Sequence, residues 1–417
     1  MSARTDAIVI GGGVGGLVAA IALKRAGSSV VLLEAHETLN GGLPPYLFAL
    51  DPRVVRELGL SARGLKFAER DLASTALRQD GRHLTLARDP HAAARAIAAH
   101  SPTDAGAYAR FHDEIFALAR ALRPFWWEDA AAPRPSALLA RLRMTSAAAY
   151  LNQWFESDAL KALLSFDVPF PHAPGSALAL VWRAAQEMCG LQGALAVPAG
   201  GGLGAKLVAM AQELRVDLRA KARVAKLILA GDEAAGVELD SGEKIFAAKV
   251  FSSLGRRETL LTLAPTASAG FAQTLRLMRD TPRARETVLR FTLNAAPGFA
   301  NGRQVIVEGE PALEAVVAPA PQAGQHQLWV RAKGEAEADA VTAQLERFAP
   351  QLKSRIVATE RHTRDVLVPH LMDEAAIRIM TPIRHLYLCG GDAEPMDAVA
   401  GRAARLAAAL ATRDKGA

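Results

Sequence analysis

A run of glycines directly after a short apolar segment limits this chain more than anything else in it. From Asp6 the sequence reads Asp6-Ala-Ile-Val-Ile-Gly11-Gly-Gly13-Val14-Gly15-Gly16. Ala7–Ile10 predict a buried strand, Leu17–Ala26 a helix stopped by Gly27, and Ser29–Leu33 a second buried strand rich in β-branched residues. Strand, glycine turn, helix and strand within about thirty residues make a βαβ unit, and such units build parallel sheets. Each motif glycine has a task in that setting. Gly11 permits the tight turn, Gly13 leaves room for a pyrophosphate to approach the backbone, and Gly16 lets the helix lie close on the strand. The helix N-terminus, next to Val14 and Gly15 of the turn, then offers free N–H groups and the positive end of its dipole to the phosphates.

Glu34 ends the second strand, followed by Ala35. A carboxylate at this point accepts hydrogen bonds from the ribose of a bound dinucleotide. The residues alone leave open whether that dinucleotide is FAD or NAD. A simple NAD domain would continue as alternating strands and helices. Here the stretch from about Asp89 to Gly190 is mainly helical, and it gathers aromatics such as Phe111, Phe125, Trp126, Trp127, Trp154 and Trp182. A helix is expected from about Ser146 to Phe155 and another from Leu203 to Leu214, where Leu203, Leu207, Met210 and Leu214 share a face. Hairpin strands Arg223–Ala230, Ala235–Asp240 and Lys244–Ser252 turn at Gly231-Asp232 and Ser241-Gly242. Residues 286–333 alternate as antiparallel strands do. A polar helix follows over about Ala336–Phe348, then a strand His385–Cys389 and an Ala-rich helix from about Val399 to Thr412.

Several passages resemble the phytoene-desaturase-like branch of the amine-oxidase superfamily of FAD enzymes. Val31-Leu-Leu-Glu34-Ala35 followed by Gly41-Gly42 looks like the second strand and the flavin-side glycines, and Leu50–Leu60 like the segment after them. Tyr150–Lys161 is similar to a helix of the substrate domain. Val197–Gly204, Ala222-Arg-Val224 and Gly236–Gly242 look like the return to the FAD domain, and Thr381–Asp392 like the C-terminal flavin strand. The resemblance implies an α/β fold: a discontinuous Rossmann-type FAD-binding domain (1–70, 195–265 and 365–417) with an interleaved α+β substrate domain (71–194 and 266–364). It also implies that the Val224 backbone touches adenine, that Gly391 and Asp392 lie near the ribityl–pyrophosphate, and that Asp397–Gly401, with Val399, start a helix facing the flavin ring. Two features depart from the family pattern. Only Leu43–Leu50 separate Gly42 from Asp51, and Ala393-Glu-Pro-Met-Asp397 replaces a glycine-rich run.

The remaining composition narrows the function classes. The 417 residues are 50% hydrophobic and 22% charged, as in an ordered globular protein of two domains. A net charge of +6 without a dense basic run argues against nucleic acid as a partner, while loose attraction to anionic lipid stays open. Cys189 and Cys389 form no CxxC pair and are expected as buried, reduced thiols. His36, His172, His362, His370 and His385 are isolated, so no metal site is expected. Ser176 lacks the context of a hydrolase nucleophile and is expected in a turn or cap, and Trp126-Trp127 are expected in the core. No signal peptide or membrane-spanning stretch is evident, which points to a cytoplasmic protein, with peripheral membrane contact left open. The expected function is FAD-dependent oxidation of a small apolar, isoprenoid or lipid-like substrate by hydride transfer to the flavin. The alternatives are an FAD-dependent amine oxidase and a non-catalytic FAD-binding scaffold. No catalytic acid or base stands out.

Overall fold

The computed structural model describes residues 4–39, 46–47, 50–69, 72–87, 89–127, 136–168, 170–189, 194–196, 202–265, 270, 275, 283–300, 302–320, 323–367, 379–393 and 401–413. The chain starts as β1 (Thr5–Ile10), α1 (Val14–Arg25), β2 (Val30–Leu33), β3 (Tyr46–Leu47), α2 (Pro52–Glu57), β4 (Phe67–Glu69), β5 (Ser74–Leu77) and β6 (Leu84–Leu86). A helical stretch follows: α3 (Pro90–His100), α4 (Pro102–Trp127), α5 (Ala137–Met144), α6 (Ala147–Trp154), α7 (Asp158–Ser165) and α8 (Leu178–Cys189). Next come β7 (Ala194–Ala196), α9 (Gly202–Glu213), β8 (Asp217–Arg219), β9 (Val224–Ala230), β10 (Glu233–Leu239) and β11 (Lys244–Ser252). The last part holds a π-helical turn (Glu258–Leu263), β12 (Arg283–Leu293), β13 (Arg303–Ile306), β14 (Leu313–Pro319), β15 (His326–Lys333), α10 (Ala338–Glu346), α11 (Leu352–Arg355), β16 (Ile356–Leu367), β17 (Leu386–Leu388) and α12 (Arg402–Arg413).

Among the described residues the first sheet has the order β8-β2-β1-β11-β10-β9, with β17 also on β11. Its centre is parallel: β1 pairs with β2 and β11, β2 with β8, and β11 with β17. The sheet therefore draws strands from three separated stretches of sequence. The edge of β11 opposite β1 is shared, since Lys244–Phe246 pair antiparallel with β10 and Val250–Ser252 pair with β17. Both faces are covered, which explains the continuous apolar runs of β1 and β2. On one face Val9, Leu32 and Phe251 meet α1, α9 and α12 through Leu17, Leu207, Met210 and Ala404. On the other, Ile8, Ile10 and Val31 meet Leu227 and Val237 of the β9–β10 hairpin and Leu260 of the π-helical turn. The hairpin turns at Gly231 and Gly242 have φ of 65° and 85°, where glycine carries no Cβ strain.

The second sheet runs β16-β12-β15-β14-β13-β5-β6, antiparallel except for β5 on β13. Leu289, Phe291, Leu313, Leu328 and Val330 on one face pack under α10 and α11 through Val341, Leu345 and Leu352. Part of the other face meets the helical stretch. There Trp126, Tyr150, Leu160 and Trp182 are fully buried, and Trp126 meets Trp182 edge-on with ring centroids 4.7 Å apart. Helices α3, α5, α6 and α7 each begin at a side-chain cap: Asp89, Ser136, Ser146 and Ser157 accept N–H bonds from Ala92, Leu139, Ala149 and Leu160. Ser176, read as a turn or cap, accepts from the Ala147 N–H at 2.8 Å and donates to the Pro171 carbonyl.

An ionic cluster ties this sheet to the loop after α7. Asp167 Oδ1 accepts from Arg303 at 2.8 Å and Arg331 at 2.7 Å, and Arg183 of α8 lies 3.5 Å from Oδ2. Glu314, with a side chain 1% exposed, binds both Arg303 and Arg331. Arg303, Arg331 and Lys333 all lie over the Phe166 ring. Burial alone would raise the Asp167 pKa, but Arg303, Arg183 and Arg331 outweigh it and hold the carboxyl well below the usual range.

The expected helices and hairpins appear with shifted ends. The first helix starts at Val14, inside the glycine motif, and the C-terminal helix is described from Arg402. Among the described residues no helix is long and apolar enough to cross a membrane.

Candidate functional site

Four parallel strands of the first sheet end beside the glycine turn. Gly11 N–H donates to the Leu33 carbonyl at 2.8 Å, binding the end of β1 to the end of β2. Ser253, just past β11, sends both its N–H and its hydroxyl to the Ile10 carbonyl at 2.9 Å. Cys389 N–H, just past β17, donates to the Ser252 carbonyl at 2.8 Å. The turn is packed so closely that side chains are excluded at most of its positions. A Cβ on Gly11, where φ is 92°, would overlap the Ser253 hydroxyl. A Cβ on Gly15 would overlap the Cys389 carbonyl and lie 3.1 Å from Gly390 Cα. One on Gly16 would overlap the Gly11 carbonyl oxygen, and one on Gly390 the Ser253 carbonyl.

Gly13 differs. A Cβ there would meet nothing within 4 Å, and its φ of −72° is open to any residue. The glycine therefore borders space. Gly13 is also the N-cap of α1, no side chain caps that helix, and its first turn holds no acidic residue. The N-terminal N–H groups of a twelve-residue helix thus face an open position next to an unsubstituted backbone. This is the geometry that receives a phosphate group.

Glu34 closes the site on the β2 side and is 9% exposed. Its Oε2 accepts the Gly12 N–H at 2.6 Å, while Oε1 accepts the His36 N–H at 2.8 Å and lies 2.7 Å from His36 Nδ1. Burial alone would raise its pKa. The His36 and Gly12 N–H groups and the His36 ring outweigh it and hold the carboxyl below its usual value. The strand-end backbone is fixed as well, with Glu34 N–H on the Arg219 carbonyl at 2.9 Å and Ala222 N–H on the Glu34 carbonyl at 2.8 Å.

The structure thus brings Gly11, Gly13, Val14, Gly15, Gly16, Glu34 and Ala35 to one turn. Val224 starts β9, two residues after the Ala222–Glu34 bond, and pairs with Leu239. The backbone of Gly391 and Asp392 forms a 3-10 turn directly after Gly390. Gly41, Gly42 and Val399 lie outside the described residues. Gly12, Ser253, Gly390 and His36 were not expected in the site. The small residues Ser253 and Gly390-Gly391 just past strands were the available signal for two of them. His36, read as an isolated histidine, is bonded to Glu34; the signal was its position two residues after a strand-end acid. Cys389 is buried, which pushes its thiol pKa up. Among the described residues, no group of three or more His, Cys, Asp or Glu side chains is arranged to hold a metal ion.

Residues 9–59 match the model of the NAD(P)-binding Rossmann-like domain. The chain is 28% identical over 353 residues to the rat (Rattus norvegicus) pyridine nucleotide-disulfide oxidoreductase domain-containing protein 2, covering 70% of this chain and 61% of that protein. It is 31% identical over 273 residues to hydroxyneurosporene desaturase of Cereibacter sphaeroides, covering 57% and 54%. A solved putrescine oxidase bound to putrescine superimposes with a TM-score of 0.70 at 16% identity, covering 100% of both chains. The chain is similar in sequence to the first two of these proteins and in fold to the third. The α/β fold expected from the sequence is shared with that oxidase. The chain spans about three fifths of the rat relative, 61% of its length.

Proposed function

We propose that this chain is a member of the amine-oxidase superfamily that binds FAD and acts as an FAD-dependent oxidoreductase taking hydride from a small apolar, isoprenoid or lipid-like substrate. In this reading the FAD domain comprises 1–70, 195–265 and 365–417, the substrate domain comprises 71–194 and 266–364, and a peripheral membrane contact supplies the substrate. The observation that carries the reading is the open position at Gly13 in front of the uncapped N-terminus of α1, with the Glu34 carboxylate on its flank.

The residues present fit the cofactor. The Val14, Gly15 and Gly16 N–H groups and the α1 dipole would hold the pyrophosphate, and Gly13 would admit it without a side chain in the way. Glu34 would accept from the adenosine ribose, and its lowered pKa keeps it an acceptor at neutral pH. The backbone near Val224 would border the adenine, and Gly391-Asp392 the sugar–phosphate chain. Ser253 holds the turn in place by bonding to β1, and Gly390 packs against Ser253 and Gly15. Bound FAD supplies a two-electron acceptor for hydride.

The apolar substrate is supported by the relationship to a desaturase named for hydroxyneurosporene. The amine oxidase likeness, at 16% identity, speaks for the fold. The test has two steps. Purified protein should carry FAD or take it up on soaking; absence of flavin absorbance in both cases rejects the cofactor. Anaerobic rapid mixing then compares apolar alkenes with small amines. Flavin bleaching by alkenes supports the reading, bleaching by amines alone replaces it with amine oxidation, and bleaching by neither favours a non-catalytic FAD-binding protein.

A further inference from the structure

Ionised carboxylates offer about four acceptor positions, two on each oxygen. On Glu34 three are engaged: one by Gly12 N–H on Oε2, and two on Oε1 by the N–H and the ring of His36. An adenosine ribose brings two hydroxyl donors, so one more position is needed than is free. The two backbone donors are fixed by the turn. The His36 ring is not, since its side chain is 76% exposed and it reaches Glu34 from the solvent side. We infer that His36 competes with the cofactor's ribose for the Glu34 carboxylate, a charged ring holding the acid more tightly than a neutral one. The inference rests on the FAD reading above.

The charged groups bonded to the same turn do not produce such a dependence. Lys221 donates its N–H to the His36 carbonyl at 2.9 Å and pairs through Nζ with Glu37 at 2.7 Å. Arg219, whose carbonyl holds Glu34 N–H, pairs with Asp217 and Glu243, both at 2.9 Å. Glu34 itself has its pKa lowered. Lysine, arginine and carboxylates titrate outside the range between about pH 5.5 and about pH 8, whereas histidine as a residue type titrates inside it. A charged ring would hold Glu34 more tightly than a neutral one and leave less of the carboxylate to the cofactor.

The experiment titrates apoprotein with FAD by fluorescence at about pH 8 and about pH 5.5, bracketing the ordinary histidine range. Wild type should bind about twofold to fivefold more weakly at the lower pH, the size of one exposed ion pair. His36→Ala should bind equally at both and more tightly than wild type at the lower. His36→Asn, which donates a hydrogen bond without a charge, should also be flat. A flat wild-type profile, a His36→Ala protein that keeps the wild-type slope, or one that binds more weakly at both pH values overturns the competition. Wild-type binding at about pH 8 tests the FAD reading separately, and its absence at any pH rejects both.

Discussion

Gly13 and Gly16 stand three residues apart in one motif, and the structure assigns them opposite costs. A methyl group on Gly16 would overlap the Gly11 carbonyl oxygen, stand 3.1 Å from the Gly11 carbonyl carbon, and lie 3.4 Å from Ser253 Oγ. Two of those three atoms are backbone and cannot rotate away. A relaxed C···O contact is about 3.3 Å, so α1 and the end of β1 must part by on the order of 1 Å. Gly11 is itself bonded to Leu33, and its neighbour Ile10 to Ser253, so the strain spreads into the sheet. The cost should reach about 3 kcal/mol, the upper end for overpacked cores. A side chain on Gly13 meets nothing within 4 Å. Gly13→Val should therefore cost the apoprotein only about 0.5–1 kcal/mol, from the poorer N-cap. In the FAD complex the same side chain occupies the pyrophosphate's place and should cost about 3 kcal/mol or more, roughly a hundredfold in Kd. The assay is urea unfolding of the two apoproteins by circular dichroism, paired with FAD titration. Gly16→Ala as stable as wild type would refute the packing argument. Gly13→Val that binds FAD normally would refute the placement of the phosphates.

Replacing Glu34 by Ala should weaken FAD by about 1–3 kcal/mol, the range for a lost charge-assisted hydrogen bond; an unchanged Kd in titration would mean the acid only braces the Gly12 turn. The folded-state pKa of Glu34 is lowered, so its contribution is present above its unfolded value and lost as pH falls through its folded value. The apoprotein of Glu34→Gln should therefore lose less stability than wild type on acidification below about pH 4.3, the ordinary glutamate value; parallel acid unfolding curves would contradict this. Asp167→Asn removes the carboxylate bridging Arg303 and Arg331 and should destabilise by about 3–5 kcal/mol, read as a fall in the unfolding midpoint. In a Cys189→Ser background, Cys389 should resist a thiol reagent in the native protein and react in denaturant, because it is buried and its thiol pKa is pushed up; rapid native labelling would show that the end of β17 opens.

What could be read in advance was what short spacing encodes. The turn at Gly11–Gly16 and the acid at Glu34 announce themselves within thirty residues, because the tight turn, the close helix and the strand end each demand a particular residue at a fixed offset. The β9–β10–β11 meander was legible for the same reason, its turns marked by Gly231 and Gly242. Elements whose identity depends on distant partners were not. The strand Ser74–Leu77 pairs in parallel with Arg303–Ile306, more than two hundred residues away, and nothing near either segment specifies the other. The long strand Ile356–Leu367 carries Glu360, Arg361, Arg364 and Asp365, so it lacks an apolar alternation, and it is held by eleven register partners on β12. The cluster of Asp167, Arg183, Arg303, Glu314 and Arg331 is assembled from separate elements, so no single stretch of sequence announces it.

The same distinction governs the candidate site. Its glycines were legible because the motif fixes their spacing locally, whereas Ser253 and Gly390 enter only when β11 lines up beside β1 and β17 beside β11. Glu34 shows a third case. Its residue type and position pointed to a ribose acceptor, but its free acceptor capacity was hidden, because that depends on which donors reach it. Gly12 lies 22 residues away in sequence and bonds Oε2, and His36 folds back from two residues on to engage Oε1. A motif therefore identifies the group that binds, while the fold sets what that group must give up to bind. At Glu34 the movable competitor is the His36 ring, so substitution there should change affinity and its pH dependence while leaving the Gly12 bond, and with it the shape of the turn, in place.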